Sequence, residues 1–179
     1  MKVLAFAASN SRNSINKAVV SYAADLLKAG IVDHAEVEII DLREYEMPLF
    51  SIDRQQEEGI PELAQQFYKK IGEADALVIS FAEHNGYYTA AFKNLFDWTS
   101  RIDRKVYQGK PAVLLAASPG PGGGSRVLAV AKTAAPHFAM EVKADLSIPH
   151  FHEQFDLANG RVSNRDLQAK LESALATLN

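Results

Sequence analysis

The chain has 179 residues, 47% of them hydrophobic and 23% charged, with a formal net charge of -3. That length suits one domain with a large core, and the mild negative charge argues against nonspecific nucleic-acid binding. With no cysteine, disulfides, thiolate metal sites and a cysteine nucleophile are excluded together.

Six apolar residues, Val3 to Ala8, stop at a polar loop holding Ser9, Ser11, Arg12 and Ser14, and an alanine-rich helical pattern starts near Ile15. No apolar run approaches the ~20 residues of a membrane helix. The amino-terminal run is also too short for a secretory core, so a cytoplasmic protein without membrane or nucleic-acid partners is expected. A buried strand feeding a hydroxyl-rich turn and a helix outlines an anion site. The first N–H groups of a helix point outward with partial positive charge, and serine hydroxyls and an arginine add donors. One serine would suffice to cap the helix; three at this spacing favour the anion site.

Ala18, Val19, Tyr22, Ala23, Leu26 and Leu27 recur at helical spacing, and Ala29-Gly30 closes that helix. Glu36 to Leu42 alternates charged and aliphatic residues as an edge strand does. Arg43 to Pro61 predicts an irregular, mobile surface loop beside the site, and Pro61 opens a helix running to about Glu73. Ala76–Phe81 and Pro111–Ala117 are continuous apolar runs, the mark of strands buried on both faces. Helices follow from about Thr89 to Arg101 and from Ser125 to about His137. Val142 to Ile148 predicts a fifth strand, Pro149 to Val162 a loop, and Asn164 to Leu178 a last helix with a leucine stripe. Trp98 beside Arg101 suits either a subunit contact or burial against the sheet.

Five strands alternating with helices over a single domain, residues 1–179, predict a mainly parallel sheet covered on both faces. Ligands bind such sheets at the carboxyl ends of the strands, where strand order reverses. The three special loops, 9–14, 82–88 and 118–125, follow the first, third and fourth strands. These strands are neighbours in a 2-1-3-4-5 order, so the loops converge on one crevice. The second loop offers His84, Asn85, Tyr87 and Tyr88 to the edge and face of a planar heteroaromatic ring, and Gly86 permits a positive φ. The third resembles Gly-x-Gly-x-x-Gly only loosely, with Ser125 in place of the third glycine. His150 and His152 read as solvent-facing residues rather than half of a metal site. Phosphate-loop and nucleophile-elbow motifs are absent.

Three strings carry a family resemblance: Ala8-Ser9-Asn10-Ser11-Arg12-Asn13-Ser14-Ile15-Asn16, then Ala82-Glu83-His84-Asn85 followed by Phe92-Lys93-Asn94-Leu95-Phe96-Asp97-Trp98, then Gly123-Gly124-Ser125-Arg126. The chain resembles, over nearly its whole length, the NADPH-dependent FMN reductases of flavodoxin-like fold, a group that includes quinone, chromate and azo reductases. The resemblance implies a flavodoxin-like three-layer sandwich around a five-stranded parallel sheet. It implies that Ser9, Ser11, Ser14, Ile15 and Asn16 hold the FMN phosphate. Ala82, Glu83, His84 and Asn85 would line the isoalloxazine, and Ser118 and Gly120 border it. NADPH or NADH would reduce the flavin, which would pass electrons to a small-molecule acceptor (a quinone, flavin, azo compound or chromate-like anion) with no side chain as acid or base. A homodimer or homotetramer is implied, with the third helix and the 43–61 stretch near the interface. The runner-up is a non-enzymatic flavodoxin-like electron carrier. Ser11 stands where the family usually has arginine, Ala82 where it has proline and His84 where it has tyrosine.

Overall fold

In the computed structural model, which describes residues 1–179, the apolar runs form one parallel sheet in the order β2-β1-β3-β4-β5. The strands are β1 (Lys2–Ala8), β2 (Glu36–Ile40), β3 (Ala76–Phe81), β4 (Lys110–Ala117) and β5 (Met140–Ile148). All of β3 is buried, as is β4 from Ala112 onward, so these strands carry no polar face for water. The edges differ. Alternate residues of β2 and β5 reach solvent, and their charged side chains pair across the surface: Lys70 with Glu38, Lys143 with Glu141, and Lys132 with Asp145.

The period of two along each strand builds two cores. Val3, Ala5 and Ala7 face a layer made of α1 (Ile15–Leu26) and the carboxy-terminal helix, whose Leu167, Leu171 and Leu175 are buried there. Leu4, Phe6 and Ala8 face the opposite layer, built from α3 (Glu62–Glu73), α4 (Ala90–Thr99) and α5 (Ser125–Ala134). Phe6 meets the Phe67 ring edge-on at 5.4 Å, and Phe81 meets Phe92 in the same way at 5.6 Å. α1 ends in one wide turn at Leu27–Ile31, where Gly30 takes φ 108°, as the Ala29-Gly30 stop predicted. No helix is long and apolar enough to cross a membrane.

Two stretches expected as irregular are structured. The stretch 43–61 is entered through a 3₁₀ turn, Leu42–Tyr45, and contains a helix, α2 (Ile52–Glu58), which Ser51 caps through a hydrogen bond from Arg54 N. No residue of α2 is buried, so it has no apolar stripe for a periodicity to reveal. The segment is also fastened to α4. Asn94 Oδ1 accepts from Phe50 N at 2.8 Å, while its Nδ2 donates to the carbonyls of Met47 and Pro48 at 3.2 and 3.1 Å. Trp98 is fully buried; its indole N–H donates to Pro48 O at 2.7 Å and the Phe50 ring meets it edge-on at 5.0 Å. Burial against the chain, not a subunit contact, is therefore the place of Trp98. Residues 149–162 likewise contain a short helix, α6 (Phe151–Gln154), and a two-stranded ribbon of β6 (Phe155–Asp156) and β7 (Arg161–Val162), ahead of α7 (Arg165–Ala176).

Replacing Asn94 with Ala leaves one N–H and two carbonyls of the 47–50 segment without their partner. At the usual worth of such bonds this costs about 1–2 kcal/mol. We expect the denaturation midpoint to fall by that amount with the far-UV spectrum unchanged, and limited proteolysis to cut first between residues 46 and 59.

Candidate functional site

Because β1, β3 and β4 are adjacent, the loops that leave their carboxyl ends share one edge of the molecule. Side chains then stitch them together. Asn16, 2% exposed in the first turn of α1, accepts at Oδ1 from Ala117 N at 2.9 Å and from Ser80 Oγ at 2.8 Å, and donates from Nδ2 to Ala117 O at 3.1 Å. Ser80 is the one polar residue of β3 and Ala117 is the last residue of β4, so one amide ties α1 to both neighbouring strands. Thr89 caps α4 and donates from Oγ1 to Ala8 O at 3.0 Å, joining the second loop to the end of β1. Glu83 joins the second loop to the third: its Oε2 accepts from Arg126 N and Val127 N, both at 3.1 Å, at the head of α5. The cap residue of that helix is Gly124, which has no side chain to do this.

The first loop keeps an outward donor set. Ser14 caps α1 by accepting from Lys17 N at 3.3 Å, and buried Ser9 accepts from Ser11 N at 3.2 Å. In both, the oxygen is engaged as an acceptor and the O–H remains free to donate. The N–H groups of Ile15 and Asn16 open the helix and have no acceptor within it. Ser11 and Arg12 are exposed, and residues 9–17 contain no carboxylate. Arg12, Ser14, Lys17 and His152 border a recess of about 540 Å³. Hydroxyls, helix N–H groups and a guanidinium with no acid among them fit a phosphate ester.

The second loop is a tight hairpin turn. His84 and Tyr87 exchange backbone hydrogen bonds at 3.0 and 3.1 Å, and the two residues between them, Asn85 and Gly86, have φ of 54° and 78°. Two positive φ values make this a type I′ turn, which the Asn-Gly pair encodes. It presents exposed His84 and Asn85 at the rim, with Ala82 half-buried below. In the third loop Ser118 Oγ donates to Gly120 O at 3.2 Å, and Gly120 O also accepts from His150 N at 3.0 Å. The glycines that matter sterically are the two before α5. A Cβ on Gly123 would stand 2.7 Å from Pro149 N, and one on Gly124 would stand 2.8 Å from the Ala116 Cβ. Gly120 and Gly122 face open space.

The structure thus brings loops 9–14, 82–88 and 118–125 to one edge of the sheet, turns Tyr87 and Tyr88 toward a separate cavity beside α4 and α5, and gives two of the candidate residues inward tasks. The Asn16 side chain is committed inside the protein, leaving its backbone N–H to face out. The Glu83 carboxylate is committed to α5. Ser80 and Thr89 escaped the sequence reading, although a lone serine in an otherwise apolar strand was visible. His150 and His152 are exposed, His150 Nδ1 stands 3.9 Å from Glu153, and no cluster of three metal-ligating side chains occurs.

The electrostatics beside the first loop are set by Asp41, which follows β2 and takes Lys17 at 2.5 Å and Arg43 at 2.6 Å. The Arg43 hydrogen bonds, with Lys17 adding to them, hold the Asp41 carboxyl well below the usual carboxylate range. Because the folded value is lowered, the stabilisation is fully present above the unfolded value of about 4 and drains away as the pH falls toward the folded one.

Comparison with known proteins bears on the family and the fold. Residues 1–153 match the family model described as NADPH-dependent FMN reductase. A quinone reductase of Escherichia coli is 31% identical over 126 residues, covering 70% of this chain and 64% of that protein, so the match spans just under two thirds of the relative's length. A 2-hydroxy-1,4-benzoquinone reductase of a Burkholderia species is 26% identical over 97% of this chain and 91% of that protein. Among solved structures, a flavoenzyme NAD(P)H:(acceptor) oxidoreductase of Paracoccus denitrificans superposes with a TM-score of 0.77 at 22% identity, over 99% of this chain and 94% of that one. At that identity the likeness shows the fold, the same flavodoxin-like sandwich.

Two measurements check the site. Asn16→Ala strands the N–H and carbonyl of Ala117 in a buried place, at about 1–3 kcal/mol for each group. The ligand-free variant should lose several degrees of melting temperature, a larger effect than Ser11→Ala at the exposed rim. Asp41→Asn should lower stability at pH 7, and its deficit relative to the parent should shrink as denaturation is repeated from pH 4 toward pH 2.

Proposed function

The chain belongs to the NADPH-dependent FMN reductase family, and from that premise we propose that it is an enzyme that oxidises NADPH or NADH through bound FMN and delivers the electrons to a quinone. The observation that carries this reading is the outward donor set of residues 9–16, free of acids and locked by Asn16 to the strands whose loops present flat and amide side chains. That arrangement suits a ligand with a dianionic tail and a planar head. FMN supplies the two-electron chemistry when bound; the chain supplies binding, orientation and access.

In this reading the hydroxyls of Ser9, Ser11 and Ser14 and the N–H groups of Ile15 and Asn16 hold the phosphate, and Arg12 adds the charge that Ser11 lacks. Ala82, Glu83, His84 and Asn85 form one border of the ring site, and Ser118 and Gly120 form the other. The type I′ turn and the Glu83 link to α5 keep those borders at a fixed separation, so the ring plane is set before a second substrate arrives. The Glu83 charge is shared with the N–H groups of α5 and is thereby turned away from the ring. No side chain is placed as an acid or base, and protons reach the exposed rim from water. The names of the relatives favour a quinone acceptor; free flavins, azo compounds and chromate-like anions are further acceptors that an open rim would admit. We also infer a homodimer or homotetramer, because Leu49 and Ile52 expose 75% and 64% of their surface, Leu49 on the 47–50 segment that Asn94 and Trp98 hold.

The test separates cofactor contacts from helix capping. Asp caps helices as well as Ser does. Ser14→Asp should therefore keep the fold while setting a negative charge against the phosphate, and FMN affinity, read by quenching of flavin fluorescence, should fall more than about 10-fold, or 1.4 kcal/mol. Ser14→Ala should lose less. Undiminished FMN binding by the Asp variant would refute the phosphate assignment. In the parent, NADPH oxidation with a benzoquinone should exceed that by free FMN and give parallel double-reciprocal lines, because donor and acceptor share one ring face. A flavin-loaded chain that oxidises NADPH no faster than free FMN would be an electron carrier instead.

A further inference from the structure

A second site lies behind the second loop, on the α4–α5 side of the sheet. Between those helices is a cavity of about 160 Å³, thirteen residues in its lining, ten of them hydrophobic. Phe81, Phe96 and Phe138 give it aromatic walls, and Tyr88 and Tyr107 bring the hydroxyls that matter. Tyr107 is 4% exposed, and no backbone or side-chain group of the protein hydrogen-bonds to its hydroxyl. No side-chain oxygen or nitrogen sealed from solvent lacks a partner, so this oxygen keeps some open space beside it, and Tyr107 lines the cavity. Burial pushes the Tyr88 and Tyr107 hydroxyls upward in pKa, so both keep their protons and can donate. Of the three polar residues in the lining, Ser100 donates from Oγ to Asp97 O, and Lys93 and Asp97 are paired with one another at 2.7 Å and present no net charge.

We propose that this cavity binds a neutral, single-ring arene carrying one oxygen function, a molecule of the phenol class, with the ring against the phenylalanines and its oxygen bonded to Tyr107. Size sets the upper bound: an apolar protein cavity of about 150 Å³ accepts benzene, so one ring fits and two do not. Chemistry sets the rest. A buried water needs two to four polar partners, and walls this apolar leave most of the space without them. A charged ligand would lose its hydration and meet no free counter-charge. An oxygen-bearing ring fills the volume and offers a hydrogen bond to a hydroxyl that has no partner within the protein. The site is formed by residues other than those of the phosphate loop, and it stands whether or not the flavin reading does.

The probe is 4-fluorophenol, followed by fluorine NMR and by amide shifts in the FMN-loaded protein, with benzene as the ring without oxygen. We expect saturable binding at millimolar concentration, largest amide shifts near Tyr107 and Ala134, and weaker binding of benzene. Tyr107→Phe removes a hydroxyl with no partner in the protein, so it should leave the melting temperature unchanged or higher while weakening the probe about five-fold, the worth of one neutral hydrogen bond. A purely structural tyrosine would lose stability instead and leave the probe alone. Ala134→Leu, at a half-buried position in the lining, should fill the space and abolish binding while FMN affinity stays as in the parent. No saturable binding, shifts confined to residues 82–86 and 118–124, competition by NADPH, or equal binding by the Tyr107→Phe protein would each overturn the proposal. If the leucine variant does not fold, the phenylalanine variant decides alone. A cavity mouth closed by a second copy of the chain would appear as absent binding, and so counts against it.

Discussion

One buried amide governs the crevice. The side chain of Asn16 reads both the N–H and the carbonyl of Ala117 and also takes the hydroxyl of Ser80, so α1, β3 and β4 are held in one register at the point where their loops depart. A strand that ends in a loop has backbone groups with no ladder partner, and sealing them without a bond costs about as much as a lost hydrogen bond. Asn16 resolves that for Ala117 from the neighbouring helix. No aspartate could replace it, since the second oxygen would face the Ala117 carbonyl with no proton to give. The geometry of the outward-facing donors of residues 9–16 is therefore inherited from an inward-facing side chain.

Thr89 and Glu83 extend the same logic. Each lies in the second loop or at its end, and each reaches a backbone group of a different element: Ala8 O for Thr89, and the head of α5 for Glu83. Three loops, which alone would be the most mobile parts of an α/β sandwich, become one braced rim. The bracing uses polar side chains from the loops and helix starts because β1, β3 and β4 are apolar on both faces up to the loops, Ser80 excepted.

The sheet was legible in the sequence because its signal is local. Apolar runs such as Ala76–Phe81 and helical spacing such as Ala18 to Leu27 name their own elements, and alternation fixes the class. The special loops were legible too, since Ser9 to Ser14 and Asn85-Gly86 are local patterns with few uses. What stayed hidden depends on partners far along the chain. α2 buries nothing, so it leaves no periodic trace, and its neighbouring segment is secured by Asn94 and Trp98 some 44 to 50 residues away. The Glu83 bond to α5 spans 43 and 44 residues. Asn16 carried the opposite ambiguity: its position in the motif was readable, but whether its amide faced the ligand or the core was decided by Ala117, 101 residues on. The resemblance narrowed what the loops hold without showing how they are kept in place.

The outer strands bear on how copies of the chain can meet. β2 and β5 carry Glu36, Glu38, Glu141, Lys143 and Asp145, several of them already engaged in surface ion pairs. A foreign strand laid along either border would have to strip water from these groups and break those pairs, a penalty that flat hydrophobic borders lack. Sheet extension into fibrils is thus discouraged at both ends of the sandwich, and crowding at high expression should leave the chain dispersed rather than aggregated.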